Sequence, residues 1–245
     1  MNSVEISRED HILIITLNRP EVLNAWNPEL VHQLHAAWQL LADDPALRVG
    51  VIQGAGRMFT AGIDLKDTPR DGILGIPNMT VPCNKPILVA VEGAAIGYGS
   101  VTAMYADMVF AGESAYFLYP EARMGVFQGL MGGFPGRVQY KAGLQWLLTA
   151  EKLSAQRARE IGLVNEVVAD GQAFERAMTV ARQIATNAPL VVQAIKQIAL
   201  GTVPKGPMEA NLSVNRAIES LMNSDDAHEG FAAAKERRTP QFKGE

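Results

Sequence analysis

Three short apolar, β-branched runs constrain this fold more than any other feature of the chain. Residues 12–17, 49–53 and 87–91 are each bounded by polar residues, so each reads as a buried strand. The second runs into Gly54-Ala55-Gly56 and the third reaches Gly93, where a backbone needs positive φ or the close approach of another segment. Between the first two, Asn27-Pro28-Glu29 has the form of a helix start. Asn caps, Pro fits the first turn, and Glu favours the positive end of the helix dipole. Leu30, Leu34, Trp38 and Leu41 follow at helical spacing, so that helix buries one stripe. Strands and helices therefore alternate from the start, which is the signature of an α/β fold.

Further along, Ser154 caps a helix through Glu160 that stops at Gly162, and residues 163–168 read as the strand after it. From about residue 172 the pattern is helical to the end, broken at Asn187-Ala188-Pro189 and by a loop over residues 201–207. Residues 1–190 are thus expected to form the core, and residues 191–245 a helical region. That region is too short and too amphipathic to stand alone, so it packs on the core, on a neighbouring subunit, or on both.

Composition removes several classes of function. The chain has 245 residues, 48% of them hydrophobic, which is enough for one large core with an appendage. A formal charge of −4 gives no general attraction to nucleic acid or to an anionic membrane. Cys83 is the single cysteine, so neither an intrachain disulfide nor a cysteine-based metal cluster is expected. The start lacks the basic and then apolar run of a signal peptide, and no segment reaches the roughly 18 apolar residues of a membrane helix. A reduced, cytoplasmic compartment is the expectation.

The candidate chemistry centres on Glu121, in Tyr-Pro-Glu-Ala-Arg-Met-Gly over residues 119–125. Adding water to a double bond calls for two proton-handling groups, whereas one carboxylate in apolar company suits the movement of a single proton. Two further segments carry small residues that let a ligand approach the main chain: Phe59-Thr60-Ala61-Gly62-Ile63-Asp64-Leu65, and Gly93-Ala94-Ala95-Ile96-Gly97-Tyr98-Gly99 leading into an apolar helix over residues 101–106. A loop that ends at a helix start presents unpaired N–H groups to incoming negative charge. The backbone amides of Ile63 and Tyr98 are the predicted pair of oxyanion donors. The Gly- and Pro-rich stretch between Asp67 and Pro82 is expected to shape the substrate pocket.

Other polar residues read more simply. Glu92 and Glu113 sit at a strand end and a turn, where a solvated role suffices, and Asp64 and Asp67 read as loop braces. His32 and His35 lie three apart on the first helix but off its apolar stripe, without a third ligand, so no metal site is predicted. Cys83 has no visible base. The turn around Ser100 lacks the nucleophile-elbow pattern, and the Gly97 and Gly99 pair lacks the third glycine of a dinucleotide fingerprint. Arg237 reads equally as a solvated tail charge and as a contact for a ligand phosphate at a neighbouring subunit.

At these residues the chain resembles the crotonase, or enoyl-CoA hydratase/isomerase, superfamily. The matching segments are Leu17-Asn18-Arg19-Pro20 with Asn24-Ala25, Phe59 to Leu65, Lys85-Pro86 with Gly93 to Gly97, Pro120-Glu121 with Gly125, Leu153-Ser154-Ala155 with Gly162-Leu163-Val164, and the tail Glu229-Gly230 with residues 235–238. The resemblance implies a crotonase-like spiral of β-β-α units with a C-terminal helical trimerisation region, assembled as a homotrimer or a dimer of trimers. It implies a coenzyme A thioester as substrate, no permanently bound cofactor, and an enolate oxygen held by the Ile63 and Tyr98 amides. Leu23, Ala61, Asp64, Leu65, Gly97, Val101 and Gly129 fall at positions that line the acyl-CoA site. Hydratases of the superfamily carry a glutamate where this chain has Val101, and their second glutamate is retained as Glu121. Gly129 stands where the dienoyl-CoA isomerase branch has an aspartate. The site pattern is similar to that of the Δ3,Δ2-enoyl-CoA isomerases, with Val101, Phe127, Leu130 and Met131 as apolar walls. A hydratase, dehydratase or thioester hydrolase, and a catalytically silent acyl-CoA binder, are the alternatives.

Overall fold

In the computed structural model, residues 2–245 are described, with the side chains of Ser213, Arg216 and Glu219 outside that description. The chain opens as a hairpin. β1 (Val4–Glu9) pairs antiparallel with β2 (Ile12–Leu17), whose side chains are mostly buried. β1 is an edge strand with most of its side chains exposed, so it carries no apolar run and escapes a reading by pattern. α1 (Pro28–Asp43) begins as expected: the Asn27 side chain accepts the Leu30 amide, and Leu30, Leu34, Trp38 and Leu41 are buried. β3 (Val49–Gly54) and β4 (Ile87–Val91) follow.

The next elements repeat a unit of strand, strand and helix. β4 leads to β5 (Ala94–Ile96) and α2 (Tyr98–Tyr105). β6 (Met108–Gly112) leads to β7 (Tyr116–Leu118) and α3 (Glu121–Met124). α4 (Tyr140–Thr149), β8 (Leu153–Ser154), α5 (Ala155–Glu160), β9 (Glu166–Val168) and α6 (Ala173–Ala185) close the core. The first strand of each unit joins a sheet of order β1-β2-β3-β4-β6-β9, parallel beyond β2, and the second joins a smaller sheet of order β5-β7-β8. This is the β-β-α spiral. Both faces of the larger sheet are covered. Val49, Val51, Leu88, Ala90 and Phe110 meet Ala173, Ala177, Met178 and Ala181 of α6, while Ile52, Val89 and Val91 enter the main core. Burial on both faces is why these strands read as continuous apolar runs rather than alternating ones.

Three boundaries differ from the sequence reading. α2 starts at Tyr98 rather than Val101, because Gly97 takes the N-cap position with φ 53° and ψ −111°. The strand after α5 is confined to Glu166–Val168, since Leu163 and Val164 turn back to donate to the Ala158 carbonyl. The tail comprises α7 (Pro189–Thr202), α8 (Pro207–Met222) and α9 (Asp225–Glu236), and its helices stop short of the C-terminus. Residues beyond Arg237 fold back, and the Lys243 and Gly244 amides donate to Asp226 at 2.6 and 2.8 Å.

Two buried ion pairs tie the tail to the core. Lys196 of α7 donates to Asp107 at 2.6 Å and to the Lys85 carbonyl at 2.8 Å. Arg137 meets Glu209 of α8 at 2.6 Å and stacks over the Tyr105 ring, 4.4 Å from its centroid. The outer faces of the tail remain apolar and exposed, with Leu190, Ile195 and Ile198 on α7 and Ile218 and Leu221 on α8. No helix among the described residues is long and apolar enough to cross a membrane.

Candidate active site

The site begins with a backbone pairing between two loops. The Thr60 amide donates to Ala94 O at 3.0 Å and the Ile96 amide to Thr60 O at 3.0 Å, so Thr60 and Ala95 pair in parallel. Carried forward two residues, that register sets Gly62 against Gly97, the residues directly before Ile63 and Tyr98. That both are glycine permits it. A Cβ on Gly62 would lie 3.0 Å from Ile96 O, one on Gly97 would lie 3.8 Å from Gly62 Cα, and both residues have positive φ, at 89° and 53°.

The same geometry frees two amides. Trp26 pairs with the Gly62 carbonyl and the Asp64 amide, at 2.7 and 2.9 Å, which turns the intervening Ile63 N–H away from Trp26. Tyr98 is the first residue of α2, so its N–H has no carbonyl one turn earlier, while the Gly97 amide is taken by Leu118 O at 2.8 Å. Neither the Ile63 nor the Tyr98 amide donates to any group among the described residues. Two free donors on adjacent loops can share one anionic oxygen.

Glu121 opens the four-residue helix α3 directly after Pro120. Its Oε1 is 3.7 Å from where a Cβ on Gly97 would stand, so the carboxylate borders the donor loop. Oε2 is buried and lacks a hydrogen-bond partner among the described residues. Burial pushes the Glu121 pKa up to about 7, opposed by its own backbone amide. Val101 lies one turn beyond Gly97 on α2 and is fully buried, so an apolar side chain occupies that face of the helix. A carboxylate with this pKa takes up and gives back a proton with little bias near neutrality.

Beyond Glu121 lies a cavity of about 380 Å³ between α3, the 3-10 turn Leu130–Gly136 and α4. Met131 is buried in its wall, and Phe127 stands 80% exposed at its rim. Leu144, Leu147 and Leu148 of α4 supply the wall that sequence reasoning missed. Their i, i+3, i+4 spacing is the signal that could have found them. The stretch from Asp67 to Pro82, expected to shape the substrate pocket, does not line this cavity and packs at Gly72 and Gly75 against Tyr98 and Trp26. The Tyr98 ring centroid is 5.0 Å from that of Trp26, and the Tyr98 hydroxyl donates to Gln128 Oε1 at 2.7 Å.

The remaining predicted residues divide. Ala61 and Leu23 join the site's frame, the Ala61 amide donating to Leu23 O at 2.9 Å. Asp64 braces the loop through Arg19 at 3.1 Å. Burial raises its pKa, but hydrogen bonds from the Lys66 amide and Arg19 outweigh that and hold it below the usual range. Leu65 projects into solvent at 76% exposure. Gly129 starts the 3-10 turn and faces α8, where a Cβ would meet Met208 at 3.1 Å. Glu92 is not simply solvated: it is half-buried, and its Oε1 accepts the Ala173 amide at 2.9 Å, bracing the start of α6. His32 is exposed and His35 faces Thr80, and no cluster able to hold a metal ion occurs among the described residues. Cys83 is buried, and burial raises its thiol pKa.

The chain is similar to known proteins along almost its whole length. Residues 7–245 match the enoyl-CoA hydratase/isomerase family. The chain is 35% identical over 255 residues to the 2,3-dehydroadipyl-CoA hydratase of Escherichia coli, covering 100% of both sequences. It is 35% identical over 257 residues to the (E)-benzylidenesuccinyl-CoA hydratase of Thauera aromatica, covering 98% of this chain and 99% of that one. A carnitinyl-CoA dehydratase from Mycobacterium avium superposes with a TM-score of 0.77 at 35% identity, over 100% of both chains.

Proposed function

This chain belongs to the enoyl-CoA hydratase/isomerase family, and we propose that it shifts the double bond of an enoyl-CoA through an enolate held by two backbone amides. The thioester oxygen accepts hydrogen bonds from the Ile63 and Tyr98 amides, which acidifies the C2 protons. The Glu121 carboxylate removes one proton from C2 of a 3-enoyl-CoA. Charge moves onto the thioester oxygen, and the dienolate spans C2 to C4. Glu121, now a carboxylic acid, gives the proton to C4, leaving the double bond between C2 and C3. Each turnover returns the carboxylate to its starting state, so no second base is needed.

The observation that carries this reading is the solitary state of Glu121: a buried, unpartnered Oε2 and a pKa of about 7, with buried Val101 at the position where hydratases of the family carry a second glutamate. A second reading has specific support, because the relatives named above are hydratases and dehydratases. In that case Glu121 handles water alone, or with the Tyr98 hydroxyl. Assay of the purified protein against matched 3-enoyl-CoA and 2-enoyl-CoA series separates the two. Conversion of 3-enoyl-CoA to 2-enoyl-CoA with slow hydration is the expected result. Brisk hydration of 2-enoyl-CoA with 3-enoyl-CoA untouched defeats it, and inactivity on both with tight CoA-ester binding identifies a silent binding protein.

The exposed apolar residues of α7 and α8 fit a trimer interface formed by the 191–245 region, and a dimer of trimers is the larger assembly to test. Sedimentation at micromolar concentration should give three or six chains, and a stable monomer refutes that assignment.

A further inference from the structure

The residue whose amide meets the thioester oxygen also carries a large side chain, and its direction has consequences for the acyl group. Tyr98 is buried, its ring lies against Trp26, and its hydroxyl is anchored on Gln128 at 2.7 Å. The 3-10 turn Gly72–Gly75 is shaped around these rings. A Cβ at Gly72 would overlap the Tyr98 hydroxyl, and one at Gly75 would lie 2.6 Å from the Trp26 ring. The space between the donor loop and that turn is therefore filled by two aromatic side chains. Beside Glu121 the cavity of about 380 Å³, which none of residues 72–75 lines, stays open, a size within the roughly 300–1,000 Å³ of ordinary ligand pockets. Ala122, Val126, Phe127, Leu144, Leu147 and Leu148 line it, and no cation does.

We infer that Tyr98 is a specificity-determining residue: its side chain closes the path toward residues 72–75 and directs an uncharged, apolar acyl group past Glu121 into the pocket walled by α4. This rests on the reading that the Ile63 and Tyr98 amides seat the thioester. With the oxygen held there and C2 facing Glu121, the open cavity is the continuation of the chain beyond C2. A carboxylate at the far end of the acyl group would lose water against apolar walls and find no positive partner. A methyl-ended chain loses nothing there and gains contact with each added carbon.

Saturated acyl-CoA thioesters bind without reacting, so calorimetric titration with them separates this inference from the chemistry of Glu121. For wild-type protein, affinity should rise from acetyl-CoA through longer straight chains by up to about fourfold per seated methylene. An analogue of equal length ending in carboxylate should bind at least about tenfold more weakly. Leu147→Trp, which fills the pocket, should flatten the dependence on chain length. Tyr98→Ala should open a second path and extend binding to branched or aromatic acyl groups that wild type rejects, whereas Tyr98→Phe should retain the wild-type profile. Leu147 lies away from the amides, so its variant tests the route even where Tyr98→Ala fails to fold. Equal binding of methyl-ended and carboxylate-ended chains, or a length dependence that survives Leu147→Trp, overturns the inference. An unchanged acyl profile in folded Tyr98→Ala removes Tyr98 from it. Failure of every CoA thioester to bind, acetyl-CoA included, strikes instead at the functional reading beneath it.

Discussion

The two halves of the candidate site are built in opposite ways. The donor half is backbone. Ile63 and Tyr98 are placed by the pairing of Thr60 with Ala95 and by two glycines that let the loops touch, all inside the buried framework of the fold. The proton-handling half is one side chain on a four-residue helix, and the segment that follows it, residues 122–128, is exposed. A backbone donor costs the fold little, since a helix start leaves its first amides free in any case. A carboxylate with one oxygen buried and unpartnered works against the fold, because its charged form is denied water. Electrostatic stabilisation therefore comes with the architecture, and reactivity is concentrated at one position that opposes stability.

Substitutions can break that contrast, beginning with the carboxylate. Glu121→Gln keeps the shape and removes the base, so isomerase turnover should fall by roughly 10²- to 10⁴-fold while CoA-ester binding persists. Steady-state kinetics should show the loss in kcat rather than in KM. On the backbone side, Gly62→Ala adds a Cβ 3.0 Å from Ile96 O at a φ of 89°, pushing the two loops apart. Turnover should fall by about 10- to 100-fold, approaching the loss of one oxyanion donor, with a decrease in stability of about 1–3 kcal/mol seen in thermal melts.

The third prediction sharpens the contrast through pH. The Glu121 pKa is raised from 4.5 to about 7 on folding, so the unfolded chain releases this proton first. Its burden on the fold is absent below about pH 4.5, grows as pH rises through 7, and is complete above that. Glu121→Gln should therefore melt higher than wild type at pH 8 and nearly with it at pH 4.5. The gain should be no more than about 3 kcal/mol, and less to the extent that solvent reaches the half-buried side chain. Wild-type kcat/KM should rise as pH passes through about 7, following ionisation of the base. The smallest effect is expected from Val101→Glu, which restores a carboxylate at the position where hydratases of the family carry one. Hydration of 2-enoyl-CoA should increase from a low base, and an unchanged rate would mean that water does not reach this face of α2.

What the sequence made legible follows the same division. Runs at 12–17, 49–53 and 87–91 were plain because both faces of the larger sheet are covered, so all their residues but Thr16 and Gln53 are apolar or glycine. β1 was hidden because an edge strand shows most of its side chains to solvent. Glu121 and Val101 could be singled out by residue type, while the amides of Ile63 and Tyr98 were placed by loop form and family pattern, since a backbone group leaves no letter of its own. The α4 wall was missed although Leu144, Leu147 and Leu148 carry a helical stripe, because nothing local says which cavity a stripe faces. The brace of Glu92 on α6 was equally invisible, its partner Ala173 being 81 residues away.

The claim that one carboxylate moves one proton is tested most directly by following that proton. A 3-enoyl-CoA carrying two deuteriums at C2 can be incubated with wild-type protein in ordinary water, and the 2-enoyl-CoA product examined by NMR. Transfer through Glu121 leaves one deuterium at C2 and delivers the other to C4 in every turnover that outruns exchange of the acid with solvent. Measurable deuterium at C4, lost together with turnover in Glu121→Gln, is the predicted result. Product whose C4 hydrogen comes wholly from solvent, or a 3-hydroxyacyl-CoA in place of the isomer, contradicts it.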